Sequence, residues 1–95
     1  MPEQEKKPNR YETARGFHVY DDFPDAYGRN IRVYESSAAS GPHVWIGIEG
    51  DKEDSFEAAH LNVEQARRIR DALDMFLQEI PTRWENGEEF LKEEE

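Results

Sequence analysis

The sequence predicts an α+β fold: an antiparallel meander of three to four strands followed by one long amphipathic helix packed on one sheet face (ββββα). Three observations carry this reading. Apolar residues recur with a period near two from Ile31 to Leu61, breakers and small polar residues interrupt that run at hairpin spacing, and the period becomes 3.6 at Asn62. At 95 residues the chain has room for one domain and not for two. We read residues 1–15 as a flexible arm, 16–81 as a single α+β domain and 82–95 as an acidic tail.

The arm carries two prolines and mixed charge, with no Val, Ile, Leu or Phe, too little apolar surface to offset the entropy of ordering. Phe17 and Val19 read as a first short strand, joined onward by a loop containing Pro24 and Gly28. Ile31 and Val33 alternate with Arg32 and Tyr34, which marks the next strand. Ser36-Ser37-Ala38-Ala39-Ser40-Gly41-Pro42 is a loop of small residues and breakers. Val44, Ile46 and Ile48 form another strand, Gly50-Asp51-Lys52-Glu53-Asp54 a charged turn, and Phe56, Ala58 and His60 continue the alternation.

From Asn62 the residues Val63, Ala66, Ile69, Leu73, Phe76, Leu77 and Ile80 fall on one helical stripe. Asn62 is a favourable N-cap with Gln65 three residues on, the spacing of a capping box. Arg67 can pair with Asp71 and Arg70 with Asp74 at i,i+4. Pro81 disfavours helical geometry at Ile80 and is expected to end the helix there. Beyond it, residues 85–95 carry six glutamates against one lysine. A pure solubility tail has no use for Trp84, Phe90 and Leu91, so these three are expected to dock.

Pairing the strands as hairpins sets Val33 opposite Ile46 and Ile31 opposite Ile48. Continuing with Ile46 beside Ala58 and Ile48 beside Phe56 puts every aliphatic on one face, to be covered by the helix. The opposite face then carries Arg32, Tyr34, Trp45, Glu49 and Ala59, with Tyr34 directly across from Trp45. A sheet face open to water is ordinarily polar, and Trp and Tyr are enriched at binding hot spots. These five residues are the expected partner-binding surface. One helix covers one side only, so a homodimer through this outer face is also expected.

Acids outnumber bases 22 to 12, for a net charge of −10, which argues against direct nucleic-acid binding. The basic triplet Arg67, Arg68 and Arg70 is neutralised locally by Asp71 and Asp74. Cysteine is absent, which removes thiol nucleophiles and Cys-ligated zinc. No apolar run approaches the roughly 20 residues of a membrane helix, and the N-terminus lacks the apolar centre of a secretory signal. A cytoplasmic protein without membrane contact is the expectation. The acidic clusters at Asp21, Asp22 and Asp25 and at Asp51, Glu53 and Asp54 lack calcium-loop spacing, so no metal or cofactor is expected. Phosphate loops, nucleophile elbows and paired helical histidines are absent too, and we expect no enzyme.

The segments Arg32-Val33-Tyr34-Glu35-Ser36-Ser37-Ala38-Ala39, His43-Val44-Trp45-Ile46 and Ala59-His60-Leu61-Asn62-Val63-Glu64-Gln65-Ala66 with Arg67 to Leu73 resemble small uncharacterised proteins of actinobacteria and their phages. The resemblance spans roughly residues 30–77 and implies a compact, phage-borne accessory protein acting on a host component. The leading expectation is thus a non-enzymatic interaction module that binds and modulates a host protein. An acidic DNA-mimic inhibitor is the alternative, resting on the charge. A small enzyme using Glu35 and His60 as a carboxylate–histidine pair is the third.

Overall fold

Each alternating segment pairs with its neighbour in the chain, which builds an antiparallel sheet of five strands in sequence order, followed by a long helix. The computed structural model describes residues 8, 10–37, 40–50 and 55–92. The strands are β1 (Tyr11–Glu12), β2 (His18–Pro24), β3 (Asn30–Glu35), β4 (His43–Glu49) and β5 (Phe56–Asn62); the helices are α1 (Val63–Arg83) and α2 (Gly87–Lys92). The chain divides into a sheet unit, Pro8–Ala66, and a helical unit to which Arg67–Glu95 belongs. The expected charged turn at 51–54, residues 38–39 of the small-residue loop, most of the arm and the last three tail residues lie outside the described residues.

In the sheet unit, β1 falls inside the segment read as an arm. It pairs Tyr11 with Val19 and Glu12 with His18. A tight turn makes this possible: Gly16 takes φ of +89°, and its N–H donates to the Thr13 carbonyl at 2.9 Å. Between β2 and β3 the register shifts from Val19 opposite Tyr34 to Asp21 opposite Val33, so Tyr20 is the extra residue of a bulge. Val19 is the most deeply buried side chain of the unit, at 1% exposure.

The β3–β4 hairpin has the expected register, with Ile31 opposite Ile48, Val33 opposite Ile46 and Tyr34 opposite Trp45. The β4–β5 hairpin does not. Ile46 pairs with Ala59, not Ala58, and Ile48 with Glu57, not Phe56. The cause is local. The Gly50 N–H donates to the Ser55 carbonyl at 2.9 Å, which fixes Glu49 opposite Phe56 and moves all of β5 by one residue. Gly47 then leaves open the space that the Phe56 ring occupies on that face. A slip of one residue exchanges the two faces of a strand, so Phe56, Ala58 and His60 join Tyr34 and Trp45, while Glu57, Ala59 and Leu61 join the aliphatics.

The first turn of α1, still within the sheet unit, opens on the predicted capping box. Asn62 Oδ1 accepts from the Gln65 N–H at 2.8 Å, and Gln65 Oε1 accepts from the Asn62 N–H at 2.9 Å. Arg70 turns to Asp71, at 2.9 Å, rather than to Asp74. The helix passes through Pro81 and ends at Arg83, three residues beyond the expected stop. Proline removes one donor, yet the final turn holds: Thr82 Oγ1 donates to the Glu79 carbonyl and the Trp84 N–H to the Ile80 carbonyl, both at 3.2 Å. Asn86 takes φ of 59°, a left-handed turn that starts α2 within the segment read as a tail. Gly87 is buried, since its α-carbon lies against the Ile80 and Pro81 backbone where a Cβ has no room.

Candidate functional site

The centre of the sheet carries a row of rings. Side chains on one face of neighbouring strands stand side by side, about 4.8 Å apart. Tyr34, Trp45 and His60 occupy such a line across β3, β4 and β5. Ring centroids are 6.5 Å apart for Tyr34–Trp45 and 4.1 Å for Trp45–His60, with interplanar angles of 24° and 25°. His43 stacks on His60 at 4.8 Å, and Phe56 lies 6.4 Å from Tyr34.

Charge borders this row on one side. The Arg32 guanidinium sits 5.7 Å over the Phe56 ring, and its Nε donates to Asp22 Oδ2 at 3.2 Å. The Tyr11 hydroxyl donates to the same oxygen at 2.8 Å. Burial works to raise the Asp22 carboxyl, but hydrogen bonds from Tyr11, Asn30 and Arg32, with the Arg32 charge, outweigh it and hold Asp22 below the ordinary aspartate value. The same hydrogen bond to Asp22 raises the Tyr11 phenol above its ordinary value. On the other side, His60 Nε2 lies 2.8 Å from Ser36 Oγ. His43 Nδ1 lies 3.0 Å from the Gly41 carbonyl, an acceptor, so that nitrogen carries the proton.

Of the five expected partner-binding residues, Arg32, Tyr34 and Trp45 meet as predicted. Glu49 shares their face by register, opposite Phe56, but its Oε1 accepts from the Asn30 N–H at 2.9 Å. Ala59 is corrected. The shifted β5 turns it to the aliphatic face beside Ile46, and His60 takes the place expected for it. Phe56, His43 and His60 are the residues that sequence reasoning placed elsewhere or passed over. The available signal was Gly47, a side-chain-free position in mid-strand that invites a neighbouring ring.

Glu35 and His60 are not brought together. Glu35 shares a face with Val44 and Leu61, and its Oε1 accepts from the His18 N–H at 2.9 Å, while His60 belongs to the opposite face. The acid–base pair considered for a small enzyme is therefore not formed. The expected docking residues of the tail do gather. In the helical unit Trp84, Phe90 and Leu91 line one apolar groove of about 630 Å³ with Phe76, Leu77 and Ile80. Trp84 meets Phe76 edge-on at 6.2 Å.

Among the described residues no three His, Cys, Asp or Glu side chains form a group able to hold a metal ion. Among the same residues no helix is long and apolar enough to cross a membrane. No family model, curated protein or solved structure matches the chain.

Proposed function

We propose that this chain is a non-enzymatic protein-interaction module, phage-encoded and acting in the host cytoplasm, whose Tyr34–Trp45–His60 face docks a host protein and whose own copies pair as a homodimer. The observation that supports it is the ring row itself. Phe56 is 38% exposed and the Arg32 side chain 40%, so an amphipathic, pre-ordered surface faces outward. Rigid aromatic groups lose little side-chain entropy on binding, and Trp, Tyr and Arg carry most hot-spot energy.

The DNA-mimic alternative needs carboxylates aimed outward in rows. Asp22, Asp25, Glu35 and Glu49 instead accept hydrogen bonds within the sheet unit, which weighs against it. The test uses wild-type and Trp45→Ala baits in actinobacterial host lysate, each shown by circular dichroism to be folded. A host protein recovered by the wild type and lost with Trp45→Ala is the expected result. Recovery of the same partners by both baits would remove this face from the argument.

A further inference from the structure

We infer that the outer edge of β5 is a strand-pairing surface for a second copy of this chain, joined antiparallel about a two-fold axis at Ala58. The inference takes up the self-association in the functional reading and stands without its partner-binding half.

Hydrogen-bonded and open positions alternate along an antiparallel strand. The Gly50–Ser55 bond makes that pair hydrogen-bonded, so Glu57, Ala59 and Leu61 turn their backbone groups to β4. Phe56, Ala58 and His60 therefore point theirs outward, where among the described residues no strand lies beside them. Asn62 would be next, but its N–H belongs to the α1 cap.

The two edges of the sheet differ in kind. Outside β1, the outward positions of β2 are Asp22 and Pro24. The Asp22 N–H donates to Asp21 Oδ1 at 2.8 Å, proline has no N–H, and the Tyr20 bulge bends the strand. Those are the devices that stop edge pairing. At Phe56, Ala58 and His60, β5 carries none of them: among its seven residues there is no proline, no lysine and no bulge.

Self-pairing at Ala58 suits the side chains. Ala58 lies on the axis, Phe56 faces the second copy's His60, and His60 faces the second copy's Phe56. The ring row Tyr34–Trp45–His60 then runs on into the second sheet. Glu57, the one charged residue of the strand, lies across from Ala59 rather than from itself, so no like charges meet. A homodimer of this form leaves both aromatic faces open to a partner.

Light scattering behind size exclusion, over a wide range of protein concentration, tests this. The wild type is expected at twice the 11.2 kDa chain mass. Ala58→Pro removes an outward N–H and no ladder bond, so it should fall to the single-chain mass with an unchanged circular dichroism spectrum. Trp45→Glu should keep the doubled mass. The chain lacks cysteine, so Ala58→Cys offers a unique thiol on the axis, where facing α-carbons are about 5.5 Å apart and within disulfide reach. It should cross-link on oxidation, whereas Leu61→Cys should not; this pair decides the matter if Ala58→Pro fails to fold.

A wild type at the single-chain mass throughout would end both the edge pairing and the homodimer, leaving the edge to a foreign strand. A doubled mass that survives Ala58→Pro, or no cross-link from Ala58→Cys, would overturn the edge alone. Loss of the dimer in Trp45→Glu would return it to the aromatic face.

Discussion

Gly47→Ala perturbs the aromatic face without altering a ring. A Cβ at this position would overlap the far edge of the Phe56 ring, and even Cδ2 would lie at 3.1 Å, so the ring must swing aside. Swinging it aside gives up the contact with Tyr34, worth about 0.5–1.5 kcal/mol beyond area. It also gives up the Arg32 guanidinium over the ring, worth about 0.5–1 kcal/mol at an exposed site. Against these, alanine is favoured over glycine inside a strand by about 0.5–1 kcal/mol. The expected net effect is a loss of about 0–2 kcal/mol in the wild-type background.

In Phe56→Ala the obstruction is gone, and the same substitution should stabilise by about 0.5–1 kcal/mol. The sign reverses. Urea unfolding of the four proteins of this cycle measures it, with the two effects of Gly47→Ala differing by about 1–2.5 M in midpoint at roughly 1 kcal/mol/M. A coupling below about 0.5 kcal/mol between positions 47 and 56 would refute the account of why β5 adopts its register.

Two further outcomes follow from contacts described above. Gly87→Ala places a Cβ against the Ile80 and Pro81 backbone, 3.0 Å from the Pro81 α-carbon, where nothing can rotate away. The α1–α2 turn should open and the emission of Trp84, read in a Trp45→Phe background, should shift to the red; an unshifted spectrum would show that the turn tolerates the extra atom. Asp25 Oδ1 accepts from the Arg29 and Tyr27 N–H groups at 2.8 Å, and with the nearby Arg29 guanidinium these hold its carboxyl below the ordinary aspartate value. A carboxyl lowered by folding contributes stability that is complete above its ordinary value and is lost as pH falls through the lowered one. Urea midpoints measured toward strongly acidic pH should therefore fall more steeply for wild type than for Asp25→Asn, and parallel curves would count against that role.

The sequence was legible where one local rule had a single solution. Ile31, Val33, Ile46 and Ile48 alternate with polar or aromatic neighbours, so only one register of β3 on β4 puts them together. Asn62 and Gln65 carry their own geometry. β5 had two solutions. Phe56, Ala58 and His60 offer as much apolar surface as Glu57, Ala59 and Leu61, so the choice fell to the turn between β4 and β5, whose closing bond cannot be read from composition. The assumption that aliphatics share a face then misled, because Gly47 made room for a ring instead. Tyr11 and the α2 segment were hidden for a related reason. Their placement involves contacts that no periodicity announces, among them a phenol on Asp22 and a glycine against the Ile80 carbonyl.

The blunted edge of β2 would set the end point of the inferred assembly. A unit that adds by its strand edges needs two open ends to keep growing, as a fibre does, and it stops at a closed pair when it has one. Pro24, the Tyr20 bulge and the Asp21 carboxylate on the Asp22 amide deny the second end. Pairing at β5 as inferred would use up the open edge of each copy, and the joined sheet would end on both sides in the two-residue β1 and the blunted remainder of β2. The same feature would separate a finite particle from a polymer at high concentration, and it resides in the backbone chemistry of one strand rather than in the chain's net charge.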